Sequence, residues 1–450
     1  MSDRVHSRRF ASWTNWGRNF RCRPAWLHAP DSVEGVAAVV RQAREAGHRV
    51  RAVGSGYSYT RLVQTDEVMV SLDRFQGLES IDPDTHIATV RAGTPLRRLV
   101  GELAARGFAL ENLGDIDRQT LAGAVATGTH GTGITLGNMS THVQSLELVT
   151  ADGSVMECSN EADPDQFRAA LVSLGSLGVI TRVRLRVRPM YWLAVERRRL
   201  TFDQVLEALD GNVRGHRNYE FFWFPNSDLV YSKAMNPALD ATGGGRTMRR
   251  YASDLINENA ALWVVCQIND RWPSSRERLL ALGAGLIPQD RSIQRADAVY
   301  ATERLVVHQE MEYAVPYERT TDVLAALNTL FRRARVRTMF PVEVRFTRND
   351  DIWLSPSSGR DVAWIAVHTY QKEDHREYFD MSEDVFLQAG GRPHWGKLHG
   401  LHGGRLRTLY PEWESFNRVR RRLDPAGIFE NQYLRRVLSD SAAFTPADLG

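Results

Sequence analysis

NLGDIDRQTLAGAVATGTHGTGITLGN, residues 112–138, carries neither the 3.6-residue period of a helix nor the alternation of a strand, and it is rich in glycine and threonine. A stretch this long without periodicity, inside a chain that is otherwise regular, reads as a functional loop system. A second glycine loop lies upstream. Gly54-Ser55-Gly56-Tyr57-Ser58-Tyr59 follows a short strand predicted over 49–53, which ends at Val53. A diphosphate needs several main-chain N–H donors converging on it, and glycine lets the backbone come close enough to supply them. The loop Gly128-Thr129-His130-Gly131-Thr132-Gly133 offers the same. Either loop alone reads as a tight turn between strands; two of them in one region predict an anionic cofactor. Neither loop opens a helix as GxGxxG and neither reads GxxxxGK[ST], so nicotinamide and ATP are poorly supported.

Around these loops the chain alternates helix and strand. Asp31 is the expected cap of a helix whose Val33, Val36, Ala37 and Val40 share one face, with Gly47 closing it. Apolar runs at 68–72 and 86–92 predict strands, and Thr94-Pro95 starts a helix. Strands resume at 145–150 and 179–187, on either side of a helix expected to end near GSLG, residues 175–178. Beyond about residue 190 the runs EFFWF (220–224), LWVVCQI (262–268) and WIAVHTY (364–370), with a helix over 320–334, predict a mostly antiparallel sheet backed by helices. The fold class is therefore α+β with two domains, 16–190 and 191–438, followed by a small polar tail at 439–450.

Fifty-seven Lys and Arg against 54 Asp and Glu give a net charge of +3, too balanced for nucleic acid or an anionic membrane as principal partner. Cys22, Cys158 and Cys266 are odd in number and widely spaced, which predicts neither a disulfide framework nor a metal site. No apolar run reaches spanning length, and a cytoplasmic protein is expected.

The ordered segments resemble a known family. GSGYS, LGDIDRQTLAGAVATGTHGTG and GSLGVIT are similar to the FAD-binding domain of the vanillyl-alcohol oxidase superfamily, in its aldonolactone oxidase and alditol oxidase branch. NYEFFWFP (218–225), EMEYAVP (310–316), EVR (343–345), DIWLSP (351–356), RPHWGK (392–397) and LDPAGIFENQY (423–433) extend the resemblance from about Trp16 to Leu438. It implies an FAD-binding domain over 16–190 and a substrate (cap) domain over 191–438, whose last segment, around Asn431, folds back onto the flavin half. The implied FAD contacts are Val53, Gly54, Ser55, Gly56, Tyr57, Ser58 and Tyr59 in the first loop. In the second they are Gly114, Asp115, Gln119, Thr120, Gly123, Ala124, Thr127, Gly128, His130 and Gly131. Gly178, Val179, Ile180, His394 and Lys397 complete them.

Family oxidases often bond the flavin 8α-methyl group to a histidine in GxGHS. Tyr57 stands at that position here, so noncovalent FAD is expected, and a pyrophosphate or packing role suits His130 better than a flavin bond. Plant galactonolactone dehydrogenases resemble the segment at Gly114 but carry alanine, whose methyl is thought to obstruct oxygen. The glycine implies an oxidase.

Glu343 and Arg345 are two apart in a strand and point to one face; an ordinary salt bridge is the plain reading. The resemblance places them at the substrate, with Glu343 nearest the proton to be removed, and puts Lys397 near flavin N1 and the C2 carbonyl. His368 on WIAVHTY is the second candidate base. Alditol oxidases carry histidine and threonine where this chain has Ala366 and His368. Trp223, Trp353 and Trp395 suit either a sugar pocket or the core, with Trp395 nearest a motif. The expected function is transfer of a hydride from a gulono-, galactono- or arabinono-1,4-lactone to flavin N5, with oxygen reduced to hydrogen peroxide. The alternatives are an alditol (xylitol or sorbitol) oxidase, or a dehydrogenase serving another acceptor.

Overall fold

The computed structural model describes residues 7–8, 12–239, 267, 271–272 and 289–439. LWVVCQI apart from Gln267, with it Cys266, and the tail beyond Ser439 lie outside the described residues.

Two sheets of four or more strands form the body of the first half. One has the order Ser7–Arg8, Trp26–His28, Val68–Ser71, Val50–Val53, with its last three strands parallel. The other is antiparallel, in the order Val155–Ser159, Val143–Val149, Val179–Arg186, Ile87–Arg91, Leu78–Asp82. The helix Val33–Glu45 buries Val33, Val36, Ala37, Val39, Val40 and Ala43, the face its spacing predicts. Its cap is Ser32, not Asp31: the Ser32 hydroxyl accepts from the Gly35 amide, because the three-residue reach to N3 starts one residue later than the apolar pattern suggests. The helix expected to end at GSLG spans Pro164–Leu171 and stops short of it. The aperiodic stretch contains one short helix, Leu121–Ala126, capped by Thr120.

The second half is built on an eight-stranded sheet in the order Arg291–Arg295, Trp192–Leu200, Val230–Pro237, Asn218–Trp223, Val342–Thr347, Val362–Tyr370, His308–Pro316, Arg392–Pro393. Every pairing in it is antiparallel. Successive side chains of a strand point to opposite faces, and the two faces of this sheet differ in chemistry. One face is apolar and is covered by the helices Thr320–Ala334 and Arg376–Gln388: Trp223 stacks on Phe331 and Tyr313 on Phe386, at 5.8 and 5.1 Å between ring centres. The other face gathers charge. Register pairs Glu220 with Lys233, Glu343 with Ala366, Ala366 with Glu312, and His368 with Glu310. Buried charges on that scale are stable only when paired, and here the pairing comes largely from this face and from the glycine-rich loops.

The end of the chain docks on the first half. The helix Trp413–Leu423 stops at Asp424, whose carboxylate accepts from the Ile428 and Phe429 amides. The Val50 amide donates to the Ile428 carbonyl at 2.7 Å. Asn431 caps Gln432–Leu438 and donates through Nδ2 to the carbonyls of Arg61, Leu62 and Gln64.

Candidate active site

The strand ending at Val53 delivers Gly54 against Thr120: a Cβ on Gly54 would stand 2.2 Å from Thr120 Oγ1. The two loops touch only because that Cβ is missing. Tyr57 stacks on Trp16 at 5.3 Å between ring centres. Tyr59 donates its amide to the Gly396 carbonyl at 2.7 Å, which ties the loop to the HWGK segment. The main-chain N–H groups from Gly54 to Ser58 have no protein acceptor among the described residues. A cleft of about 990 Å³ opens beside them, lined in part by Trp16, Ser55, Tyr57 and Arg304. In the second loop the Thr127 hydroxyl donates to the Gly123 carbonyl, and the Thr129 amide donates to the Ala124 carbonyl. Gln119 Oε1 and Thr129 Oγ1 are buried without a partner. Gly178, Val179 and Ile180 open the strand that pairs with Val143–Val149. Unused amides and the orphaned Thr129 hydroxyl, on a floor that excludes Cβ atoms, can donate to the diphosphate of FAD.

Replacing Gly54 with alanine is expected to weaken FAD binding at least tenfold and lower Tm, by driving Thr120 off its cap. The double substitution Gly54→Ala with Thr120→Ala is expected to recover part of the binding, as flavin titration would read.

Gly114 approaches the second loop as closely: a Cβ there would lie 2.8 Å from the His130 carbonyl and 4.0 Å from Arg345 Nη1. The glycine thus sits where two loops and the charged sheet face meet.

Three clusters occupy that face. In the first, Arg345 binds Asp115 (2.5 Å), Glu220 (3.0 Å) and Glu343, while Lys233 reaches Glu220 (3.2 Å) and Arg304 reaches Asp115 (2.8 Å). Burial pushes the Asp115 carboxyl up, yet Arg345 and Arg304 hold it at about 2. Glu343 goes the other way: burial, with Asp115 and Glu220 nearby, outweighs Arg345 and raises it to about 7. In the second cluster, Glu310 faces Lys397, His368 (3.5 Å) and His308 (3.8 Å). In the third, His130 Nε2 meets Glu312 at 3.2 Å and its ring lies on Trp364 at 3.8 Å between centres. His394 is held neutral, its pKa lowered to about 3 chiefly by burial, and its Nδ1 accepts from the Gly396 amide.

Glu343, Arg345, Lys397 and His368 therefore share one face, with Asp115 and His130 of the loops among their neighbours. Trp223 and Trp395 do not reach that face: Trp223 packs on Phe202 and Phe331, and Trp395 stacks on Tyr410. Glu220, Lys233, Arg304, His308, Glu310 and Glu312 were missed. The signal for two of them is present in EMEY, where acids at 310 and 312 alternate with apolar residues in a strand buried almost throughout. The sequence also predicts no metal site, yet His130–Glu312–His394 and His308–Glu310–His368 each bring three ligand atoms within 4.8 Å of one another.

Comparison with known proteins agrees with this architecture. The D-arabinono-1,4-lactone oxidase family matches residues 183–437, and an FAD-binding domain family matches 24–159. The chain is 41% identical to an L-gulono-1,4-lactone dehydrogenase of Mycobacterium tuberculosis, over 95% of its own length and 99% of that protein. It is 32% identical to an L-gulonolactone oxidase of Scyliorhinus torazame, over 94% and 97%. A cholesterol oxidase variant from Brevibacterium sterolicum superposes with a TM-score of 0.82, covering 98% of each chain, at 15% identity, and so shares the fold.

Proposed function

The chain belongs to the D-arabinono-1,4-lactone oxidase family, and on that premise we propose that it oxidises an aldono-1,4-lactone with FAD and passes the electrons to oxygen, forming hydrogen peroxide. The observation that carries this reading is the Glu343–Arg345 pair. It is a mostly buried carboxylate, its side chain 14% exposed and its pKa raised to about 7, beside a guanidinium on the sheet face turned toward the FAD loops. A group whose pKa lies near neutrality is suited to take a hydroxyl proton. FAD, when bound, supplies the acceptor for the carbinol hydride. Glu343 receives the hydroxyl proton on a carboxylate oxygen. Arg345 orients that carboxylate and, with Lys397, presents positive charge to the developing oxyanion. Gly114 supports oxygen as the acceptor, since it adds no methyl between the loops.

On the same reading residues 16–190 hold the cofactor and 191–438 present the substrate face, in a cytoplasmic enzyme. Among the described residues no helix is long and apolar enough to cross a membrane, and Cys22 and Cys158 are free and buried. FAD is noncovalent, because Tyr57 offers no imidazole nitrogen and burial raises its phenol above the ordinary value. Acid precipitation of the yellow enzyme is expected to leave all flavin in the supernatant; flavin in the pellet would overturn this mode of attachment. A lactone panel followed by peroxide detection tests substrate class and acceptor. Peroxide equimolar with oxidised lactone is expected.

A further inference from the structure

His368 Nδ1 lies 3.0 Å from the Pro341 carbonyl, an oxygen that can only accept, so Nδ1 carries a hydrogen. Its Nε2 faces Glu310 Oε1 at 3.5 Å. An unprotonated Nε2 would set its lone pair against a carboxylate oxygen in a site where both residues are buried. One proton must therefore sit between them. Lys397 stands on the other oxygen, Oε2, and stabilises Glu310 as the anion, which leaves the proton on the imidazole. His308 repeats the arrangement less closely: its Nδ1 lies 2.9 Å from the Val306 carbonyl, and its Nε2 is 3.8 Å from Glu310 Oε2. Phe340 packs on both imidazoles, at 5.3 and 6.2 Å between centres, and covers the group with an apolar ring.

The groups facing His368 are Glu310 and His308 from its neighbouring strand, Glu343 from the strand on its other side, and Lys397 from the segment after Arg392–Pro393. Two carboxylates outweigh one ammonium there. The direction of the titration agrees: burial lowers His368, but Glu310 and Glu343 carry it above the ordinary histidine value, while burial holds His308 below it. The spacing of His308, Glu310 and His368 also suits a divalent cation, but the Lys397 ammonium already supplies the positive charge that Glu310 needs.

We infer that Glu310 is a positioning residue which keeps His368 as an imidazolium and pins the Lys397 ammonium, leaving Glu343 as the group that accepts the substrate proton. With Nδ1 protonated toward the Pro341 carbonyl and Nε2 protonated beside the Glu310 carboxylate, His368 has no lone pair to offer a substrate. It acts on the reaction as fixed positive charge, and Glu310 sets that charge in place without touching the reacting atoms. The inference rests on the proposed lactone oxidation for its bearing on catalysis and on geometry alone for the protonation state.

The test is histidine side-chain ¹⁵N NMR of the holoenzyme across pH, with His368→Asn to assign the signal. The native enzyme is expected to show His368 protonated on both nitrogens at neutral pH and titrating above the ordinary value. Glu310→Gln is expected to move that titration below the ordinary value and to slow flavin reduction by lactone at least tenfold. Glu310→Asp, which keeps the carboxylate, is expected to preserve the protonation and serves if the glutamine variant does not fold. A native His368 that is neutral at neutral pH, or a titration untouched by Glu310→Gln, would overturn the inference. The titration needs no substrate, so an enzyme with the expected His368 signals that no lactone reduces would refute the proposed function and leave this assignment standing.

Discussion

Glu343→Gln is expected to slow reduction of the bound flavin by its lactone by about 10²–10⁴-fold, the range over which a positioned base contributes. The substitution keeps the shape of the side chain, and Arg345 retains Asp115 and Glu220, so the fold and FAD binding are expected to persist. The pH dependence has a defined sign. Glu343 must be ionised to accept a proton and its pKa is raised from 4.5 to about 7, so native flavin reduction is expected to rise with pH through an apparent pKa near 7 that belongs to the coupled cluster. The same shift acts oppositely on stability. A carboxyl whose folded pKa lies above its unfolded value stabilises the fold fully below 4.5, and that contribution is lost as pH rises through about 7. Above that pH, Glu343→Gln is expected to leave Tm unchanged or higher. Rapid-mixing kinetics without oxygen, together with thermal melts of both proteins across pH, read the two effects. A glutamine variant reduced as fast as the native enzyme would remove Glu343 from the chemistry.

Arg345→Ala is expected to produce the largest structural effect. Arg345 is buried and binds Asp115, Glu220 and Glu343 together, and its removal leaves the buried Glu220 and the mostly buried Asp115 and Glu343 with Lys233 and Arg304 as the neighbouring cations. Breaking a buried ion pair by removing one partner costs about 3–5 kcal/mol, so the variant is expected to lose stability on that scale in denaturant melts. Arg345→Met fills the volume but leaves the carboxylates uncompensated, and is expected to rescue little. Lowering the pH is expected to recover part of the loss in both variants, because Asp115, freed from Arg345, then protonates above its native value of about 2. A loss below about 1 kcal/mol would mean that the charges are solvated and act independently.

How much of this was legible in the sequence depends on whether a residue's partners are local. The helix over 320–334 and the strand through WIAVHTY follow from periodicity and occupy the predicted positions. The two glycine loops were readable because their chemistry lies in the backbone. Glu343 and Arg345 share a face by their spacing alone, whereas the catalytic role proposed for them came from resemblance. Glu310 and Glu312 went unread because the strand His308–Pro316 is buried almost from end to end, and its alternation marks a boundary between two kinds of interior instead of between core and water. The partners that justify buried acids there, Lys397 and His130, come from distant stretches of the chain. Gly114 reads as a turn glycine in sequence; only the fold shows that its missing methyl leaves room for the His130 carbonyl. The Ser32 cap differs from Asp31 by one residue, within the usual uncertainty of a helix end.

Direct reduction of bound FAD by an aldono-1,4-lactone at the Glu343–Arg345 face is the step on which the proposed function stands. Its most direct test is anaerobic mixing of the holoenzyme with gulono-, galactono- and arabinono-1,4-lactones, and with xylitol and sorbitol, while the visible flavin band is followed. Saturable bleaching by at least one lactone, slowed by Glu343→Gln, is expected, with much slower bleaching by either polyol. Bleaching by a polyol as fast as by every lactone, or by none of the lactones at all, would contradict it.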